Sequence, residues 1–87
     1  MAQATYNNVA VIASGATAKY KNNKGVLIVS DGVGETSAAV YAYADPGGGT
    51  RGDLMTIIAS DAHAPIILPI RVHSTGTLTN CAVFELL

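Results

Sequence analysis

Three side chains in this 87-residue chain, His63, His73 and Cys81, are of the types that bind metal ions or take part in acid–base and nucleophilic catalysis. Structural zinc sites usually contain ligand pairs roughly two to four residues apart. The spacings here are ten and eight residues, and no such pair occurs. We therefore predict no metal site and no cofactor. The expected alternatives are a histidine in a turn, a histidine on the outer side of a strand and a small, buried cysteine.

Hydrolytic catalysis has no local signature in this chain. Ser30, Asp31 and His63 could be drawn as a triad, but no nucleophile elbow supports one. The six carboxylates are scattered, mostly at predicted turns, so they define no acidic pair for glycoside hydrolysis. Residues 31–36, with the sequence DGVGET, lack the lysine and the following helix of a phosphate-binding loop. We therefore predict that the protein is not an enzyme and has no catalytic residues.

Two short motifs could bind a partner, and both also have a plain structural interpretation. The Arg-Gly-Asp tripeptide at residues 51–53 is a type that some cell-surface receptors recognise, and it lies in a predicted glycine-rich loop. A tripeptide recurs by chance, however, and Asp53 also fits a polar residue that opens a strand. Three lysines surround the turn predicted at residues 22–25, and we interpret them as solvated residues that blunt a sheet edge.

The chain is short and apolar for its length. Hydrophobic residues make up 49 % and charged residues 13 %, whereas ordinary soluble domains have about 25 % charged residues. A domain of this size buries only about 60–65 % of the surface of its unfolded chain. A monomer would therefore display apolar groups, and we expect other chains to cover them.

The charge and the hydropathy pattern exclude two classes of partner. The net charge is −1 and no basic stripe occurs, so we expect no binding to nucleic acid. The most apolar stretch, residues 54–70, is interrupted by Asp61, His63 and two prolines. Because crossing a bilayer takes about 20 apolar residues, we expect no transmembrane helix. The single cysteine rules out a disulfide within the chain.

The spacing of β-branched residues and turn residues predicts an all-β domain. The chain contains eight valines, seven isoleucines and eight threonines, and glycine, asparagine and aspartate recur between short apolar runs. We predict one domain over residues 1–87, a compact sandwich or small barrel of about seven short, mostly antiparallel strands. The predicted strands are residues 5–13, 17–21, 26–29, 37–44, 54–60, 66–72 and 78–87.

The predicted strand at residues 66–72 has one face for the core and one for the outside. Pro69 has no N–H to donate, so this strand should lie at a sheet edge or contain a bulge. The even positions are the predicted core positions, namely Ile66, Leu68, Ile70 and Val72. The odd positions are predicted to face outward, namely Ile67, Pro69, Arg71 and His73.

Residues 26–29 and 82–84 are apolar on both sides of the strand. Because a two-layer sandwich leaves an outer face on every strand, we expect a neighbouring subunit to cover these positions. Tyr41 and Tyr43 share one side of a strand, where both a core and an interface are open interpretations and sugar stacking is a third. The residues predicted to contact other protein chains are Tyr41, Tyr43, Ile67, Pro69, Arg71 and Val83.

Three stretches carry a resemblance to a known class of proteins: GVLIVSDG at residues 25–32, PIILPIRV at residues 65–72 and LTNCAVFELL at residues 78–87. Together they resemble the small β-rich virion proteins of tailed bacteriophages. The resemblance implies a structural protein, made in the host cytoplasm and carried in the virion, that decorates or cements the capsid or builds part of the tail. Its implied partners are sister copies, in a trimer or another ring, and a major capsid or other virion protein.

Two other functions remain open from the sequence. One is a carbohydrate- or receptor-binding β module, for example of a phage tail, that uses Tyr41 and Tyr43 or the loop at residues 47–53. The other is a small hydrolase, for which the sequence offers the least support.

Overall fold

The structure, a computed structural model, describes residues 8–45, 47–60 and 63–87. These residues form seven strands in two antiparallel sheets, which confirms the predicted all-β fold, and of the two predicted architectures the structure has the small sandwich. Residues 1–7, which include the start of the strand predicted at residues 5–13, and residues 61–62 of a predicted connection lie outside the described residues. The strands are β1 (Asn8–Ile12), β2 (Gly25–Ser30), β3 (Thr36–Tyr43), β4 (Arg51–Ala59), β5 (Ile66–Leu68), β6 (Val72–Thr79) and β7 (Cys81–Leu86).

The two sheets divide the strands four to three. Sheet A has the order β1-β7-β2-β5 and sheet B has the order β4-β3-β6, with every neighbouring pair antiparallel. The chain passes from sheet A to sheet B between β2 and β3, returns at β5, and then changes sheet again at β6 and β7. This repeated crossing places β7, the last strand, between β1 and β2 in the middle of sheet A.

The core lies between the sheets and consists of aliphatic side chains from alternate strand positions. Val72 is completely buried, and Ile66, Leu68 and Ile70 are partly buried against the core, which confirms the core positions predicted for this region. The buried members of the core cluster are Ile12, Val26, Ile28, Ala38, Val40, Val72 and Val83.

Residues 66–72 do not form one strand, and in this respect the prediction was wrong. β5 ends at Leu68 in sheet A, and β6 begins at Val72 in sheet B. Pro69 follows β5 directly, and its ring cannot donate to a further ladder bond. β5 is an edge strand of sheet A, as Pro69 predicted. Periodicity could not reveal the change of sheet, because the even positions face the same core from either sheet.

The last turn of the chain also differs from the prediction. Residues 74–76, which were predicted to be a turn, lie inside β6, where Ser74 and Thr75 are buried. The chain instead changes sheet at Asn80, whose φ of 55° is left-handed. Asparagine adopts this conformation more readily than most residues because its short polar side chain bonds locally. The predicted single strand at residues 78–87 is therefore the end of β6, a turn and β7.

The segment at residues 13–24 lies along the outer edge of β6, and we call it the crossing segment. The strand predicted at residues 17–21 does not form; only Thr17 makes an isolated bridge, with Ser74. Backbone bonds join Ala18 N–H to the His73 carbonyl at 2.8 Å and Thr75 N–H to the Ala16 carbonyl at 2.9 Å. The lysine-rich turn thus belongs to a segment that covers the edge of β6, and not to the end of a hairpin.

Two buried polar side chains fix the crossing segment. The Asn23 side chain donates to the Val72 carbonyl at 2.9 Å and accepts the Val72 N–H at 2.9 Å, so it replaces a neighbouring strand. The Glu85 carboxylate, on β7 and 0 % exposed, accepts the N–H groups of Lys19 at 2.9 Å and Tyr20 at 2.8 Å. Both side chains satisfy backbone groups that would otherwise lack partners.

Candidate interaction surfaces

Four apolar side chains form a continuous row across the outer face of sheet A. The register pairs Val11 with Phe84, Phe84 with Leu27, and Leu27 with Ile67, so the row crosses all four strands. Val11 is 64 % exposed and Ile67 48 %, while Phe84 and Leu27 are half-buried. We call these four residues the apolar row. Solvent reaches it on the side of the sheet that faces away from the core.

A second cross-strand pair widens the apolar row. Val29 of β2 lies opposite Ala82 of β7, two positions along each strand from Leu27 and Phe84 and therefore on the same face. The inward positions of these strands are equally apolar, with Val26, Ile28 and Val83 all at 0 % exposure. The strands that were predicted to be apolar on both sides thus present one side to the core and the other to solvent.

This arrangement corrects one predicted interface residue. Val83 points into the core and is 0 % exposed, so it is not available to contact another chain. Its neighbours Ala82 and Phe84 occupy the outer positions instead. The sequence could not fix the register, and a shift by one residue moves every side chain to the opposite face.

The outer face of sheet B carries a different group of side chains, which we call the tyrosine–arginine cluster: Tyr41, Tyr43, Arg51, Arg71 and His73. The Arg51 guanidinium lies 4.4 Å from the centre of the Tyr41 ring, and that of Arg71 lies 3.8 Å from the Tyr43 ring. The His73 ring meets Tyr43 edge-on at 5.2 Å. Such contacts are attractive because a cation lies over the negative face of the ring. Arg71 also donates to the Gly48 carbonyl.

The remaining predicted interface residues are divided between the two outer faces. Tyr41 and Tyr43 are half-buried in sheet B, outside the core. Arg71 is half-buried beside Tyr43. Ile67 belongs to the apolar row, and Pro69 is exposed just after it. The predicted interface residues therefore do not form one surface.

The Arg-Gly-Asp tripeptide does not lie in a loop, contrary to the expectation from its glycine-rich surroundings. Its three residues are the first three of β4, and Arg51 is held over the Tyr41 ring. A Cβ at Gly52 would lie 3.1 Å from the Ala42 carbonyl oxygen, so the tripeptide packs closely against β3. The tripeptide therefore lies in an edge strand, with Arg51 opposite Tyr43, and not in the glycine-rich loop where its presentation was expected.

His63 contacts the Thr36 hydroxyl as a catalytic base contacts a nucleophile, but this hydroxyl is not accessible to a substrate. His63 Nδ1 lies 2.6 Å from the Ala64 carbonyl oxygen, to which it donates, and Nε2 lies within hydrogen-bond distance of the Thr36 hydroxyl oxygen, at 3.0 Å. Thr36 is 0 % exposed, which places the hydroxyl out of reach of a substrate. The described part of the chain contains no pocket around it. The pair therefore serves to attach residues 63–64 to β3.

The other side chains of chemical interest lie apart from one another. Cys81 is half-buried against the core, and burial raises the pKa of its thiol above the ordinary 9.0, with a smaller contribution from the negative charge of Asp31. His73 bonds Ser74 at 2.9 Å and contacts Tyr43. Across residues 8–45, 47–60 and 63–87, no three His, Cys, Asp or Glu side chains are grouped to hold a metal ion.

Sequence reasoning missed Asn23 and Glu85, the two buried polar residues that fix the crossing segment. Glu85 had a visible signal, because it is the one acidic residue within the apolar stretch CAVFELL. Asn23 had no such signal, since an Asn-Asn-Lys-Gly stretch reads as an exposed turn. The pairing of each tyrosine with an arginine likewise depends on strand register, which the sequence does not show.

No helix among the described residues is long and apolar enough to cross a membrane.

In comparisons with known proteins, no protein-family model, curated protein or solved structure matches the chain.

Proposed function

We propose that this chain is a non-enzymatic structural protein of a viral particle, a capsid decoration or cement protein that adheres to a shell protein through the apolar row. The single observation that carries the proposal is the outer face of sheet A. Val11, Phe84, Leu27 and Ile67 form a band across the whole sheet, and the adjoining pair Val29–Ala82 is also apolar. An apolar band of this extent on a small domain is typical of a surface that another protein covers.

The energy of adhesion would come from burial of the apolar row. Apolar surface removed from water contributes about 25 cal/mol per Å², so covering a few hundred Å² contributes several kcal/mol before the cost of association. A decoration protein occurs in many copies on one lattice, and repeated contacts raise the overall avidity of the layer. The resemblance of residues 25–32, 65–72 and 78–87 to small β-rich phage proteins supports the same assignment.

Purified particles test this proposal directly. Virions from the host culture are banded on a density gradient, and quantitative mass spectrometry measures the chain relative to the major shell protein. We expect a fixed ratio in the particle band. Leu27→Lys, in the apolar row, should remove the chain from particles. Val33→Lys, at a position that is 79 % exposed between β2 and β3, is the matched control and should leave it bound. Absence of the native chain from the particle band would contradict the proposal.

A second candidate function is a carbohydrate- or receptor-binding module, and the tyrosine–arginine cluster favours it. Two tyrosine rings and two guanidinium groups on one sheet face would suit an acidic sugar, which stacks on a ring and pairs with a cation. The guanidinium groups already lie over those rings, however, so a sugar would have to displace them. Glycan-array binding that disappears in Tyr41→Ala would favour this function over adhesion.

A further inference from the structure

Of the four sheet edges formed by the described strands, three are protected against pairing with another chain. β1 has an irregular register between Asn8 and Ala10. β5 is only three residues long and is followed by Pro69. β6 is covered by the crossing segment through backbone bonds to Ala16 and Ala18. Bulges, shortness, prolines and covering segments are the usual ways in which proteins block a sheet edge.

The fourth edge, β4, is the least protected, because its one register irregularity lies at its N-terminal end, between Arg51 and Leu54. It is the longest strand, with nine residues, and its register with β3 is continuous from Leu54 to Ala59. It contains no proline and no lysine. No other described strand pairs with its outer side. Its outward side chains are also apolar for an edge, because Leu54 is 51 % and Ile58 64 % exposed.

The backbone groups of β4 that point away from β3 can be identified from one hydrogen bond. Tyr43 N–H donates to the Arg71 carbonyl on the β6 side of β3. The register irregularities near Tyr41 place the extra residues on β4 and β6, so N–H groups still alternate sides along β3 itself. The Val40 groups therefore point toward β4, and Val40 forms a hydrogen-bonded pair with Met55. The neighbouring residues in β4 therefore direct N–H and C=O away from the sheet, and these are Leu54, Thr56 and Ile58.

We propose that β4 pairs with β4 of a second copy of this chain, antiparallel and about a twofold axis at Thr56, to form one continuous six-stranded sheet. The described strands offer one open edge per chain, so head-to-tail pairing has no second edge to use. A contact between two identical edges closes as a twofold dimer. This contact is separate from the apolar row, so it holds whether or not the particle function does.

The side chains of β4 fit this register. Thr56 then lies opposite Thr56 of the second copy, and Leu54 lies opposite Ile58 of the second copy. The twofold symmetry repeats this pair of exposed aliphatic side chains on the other side of the axis. Both charged residues of β4, Arg51 and Asp53, lie at its first end. Antiparallel pairing therefore keeps the charges of the two copies apart, whereas parallel pairing would place each Arg51 beside the other.

Disulfide trapping tests the register. Residues opposite each other in a hydrogen-bonded pair have Cα atoms about 5.5 Å apart, which is within the range of roughly 4.4–6.8 Å for a disulfide. Thr56→Cys, in a Cys81→Ala background, should give mostly covalent dimer under mild oxidation at micromolar concentration. Thr79→Cys in the same background is the matched control, an exposed threonine on β6, and should give at least tenfold less. Equal trapping at both positions would overturn the proposal.

Sedimentation equilibrium tests the contact in the full chain. We expect the native chain to dimerise and Thr56→Pro, which removes an outward N–H, to weaken dimerisation at least tenfold with an unchanged circular dichroism spectrum. Should this variant fail to fold, hydrogen exchange of the native chain decides, since the Leu54, Thr56 and Ile58 amides should become protected only as concentration rises. Leu27→Lys should dimerise normally. A native chain that stays monomeric, or a dimer lost in Leu27→Lys but kept in Thr56→Pro, would overturn the proposal.

Discussion

The two outer faces of this sandwich cover the same core but differ in their chemistry. The face of sheet A carries the apolar row, and the positions beside it are apolar as well. The face of sheet B carries the tyrosine–arginine cluster, in which each guanidinium group already lies over a ring of the same chain. The apolar surface of sheet A runs across all four strands, whereas the large exposed aliphatic side chains of sheet B, Leu54 and Ile58, are confined to its edge strand β4. The apolar face is therefore the one that gains more from a partner.

The difference arises from strand composition and not from the core. β2 and β7 place aliphatic or aromatic side chains on both sides, so the core position Val83 is followed by the outer position Phe84. In β3 the inward residues Ala38 and Val40 alternate with Ser37, Ala39 and Tyr41, so the outer side of this strand carries small and polar-tipped side chains. Variants that affect both faces, one face or a single contact test how the two outer faces differ in stability and in exposed apolar surface.

Glu85→Ala should have the largest effect, because it removes a support that both faces share. The change leaves the Lys19 and Tyr20 N–H groups without their buried acceptor and opens a cavity beneath β7. We expect the free energy of unfolding to fall by about 3–5 kcal/mol, as measured by urea denaturation. Glu35→Ala, at an exposed position, is the control and should change it by less than about 0.5 kcal/mol. Equal stability of the two variants would show that the buried carboxylate is not a support.

Asn23→Ala should have the next largest effect and should act on the edge of sheet B. The variant loses the paired bonds to Val72 and the bond to the Tyr20 carbonyl at 2.7 Å. We expect a loss of about 2–3 kcal/mol and faster hydrogen exchange at Val72 N–H. Asn22→Ala, next to it and exposed, is the control and should be nearly neutral. Unchanged exchange at Val72 in Asn23→Ala would contradict this role.

Ile67→Lys and Thr77→Lys compare the two faces with the same new side chain. Both positions are exposed, the first in the apolar row and the second in sheet B. Each should change stability by less than about 1 kcal/mol, because neither side chain is in the core. Fluorescence of the dye ANS, which binds exposed apolar surface, should fall severalfold in Ile67→Lys and stay unchanged in Thr77→Lys. Equal fluorescence in both variants would mean that the faces do not differ as described.

Arg51→Ala should have a small effect, confined to the tyrosine–arginine cluster. The guanidinium over the Tyr41 ring contributes about 0.5–1 kcal/mol at an exposed site. We expect the midpoint of urea unfolding to move by a corresponding amount, with Arg51→Lys recovering part of the loss. The chemical shifts of the Tyr41 ring should change in Arg51→Ala, and those of Phe84 should not. A shift at Phe84 as large as that at Tyr41 would contradict the separation of the two faces.

The smallest expected effect is the pH dependence due to Cys81 beneath sheet A. Burial, followed by the charge of Asp31, raises the pKa of the thiol above 9.0. The folded chain thus holds this proton more tightly than the unfolded chain. The stability contribution is complete below about pH 9 and is lost as pH rises through the raised pKa. The rate of iodoacetamide labelling should rise with a midpoint above pH 9.0, and Cys81→Ala should lack the alkaline loss of stability. A midpoint at or below 9.0 would contradict a buried thiol.

The fold class and most strand positions follow from local sequence. The alternation at residues 66–72 identified core positions correctly even though the chain changes sheet there, because inward parity is kept across Pro69. The turn at Asn80 was missed, since Ser-Thr-Gly at residues 74–76 is the stronger turn signal by composition. Pairing with β3 on one side and with the crossing segment on the other instead holds Ser74 and Thr75 in β6.

The candidate surfaces were predictable only in part. The sequence indicated that strands such as residues 26–29 would be apolar on both sides, and the structure places Leu27 and Val29 on the outer face. It gave no means of choosing between Val83 and Phe84, because that choice depends on a register shift of one residue. The open edge at β4 was equally hidden, since strand order depends on contacts between residues far apart in the chain.

The amino-acid sequence by itself determined the all-β fold class and the presence of strands that are apolar on both sides. The chain is short, rich in β-branched residues and poor in charged ones. These properties depend only on neighbouring residues, because propensity and alternation act within a few positions. Only the tertiary structure decided that Val11, Phe84, Leu27 and Ile67 lie in one row, that Arg51 and Arg71 lie over tyrosine rings, and that β4 is an open edge. Each of these follows from pairing between strands that are distant in the chain. Local patterns read from a single sequence do not show which strands become neighbours.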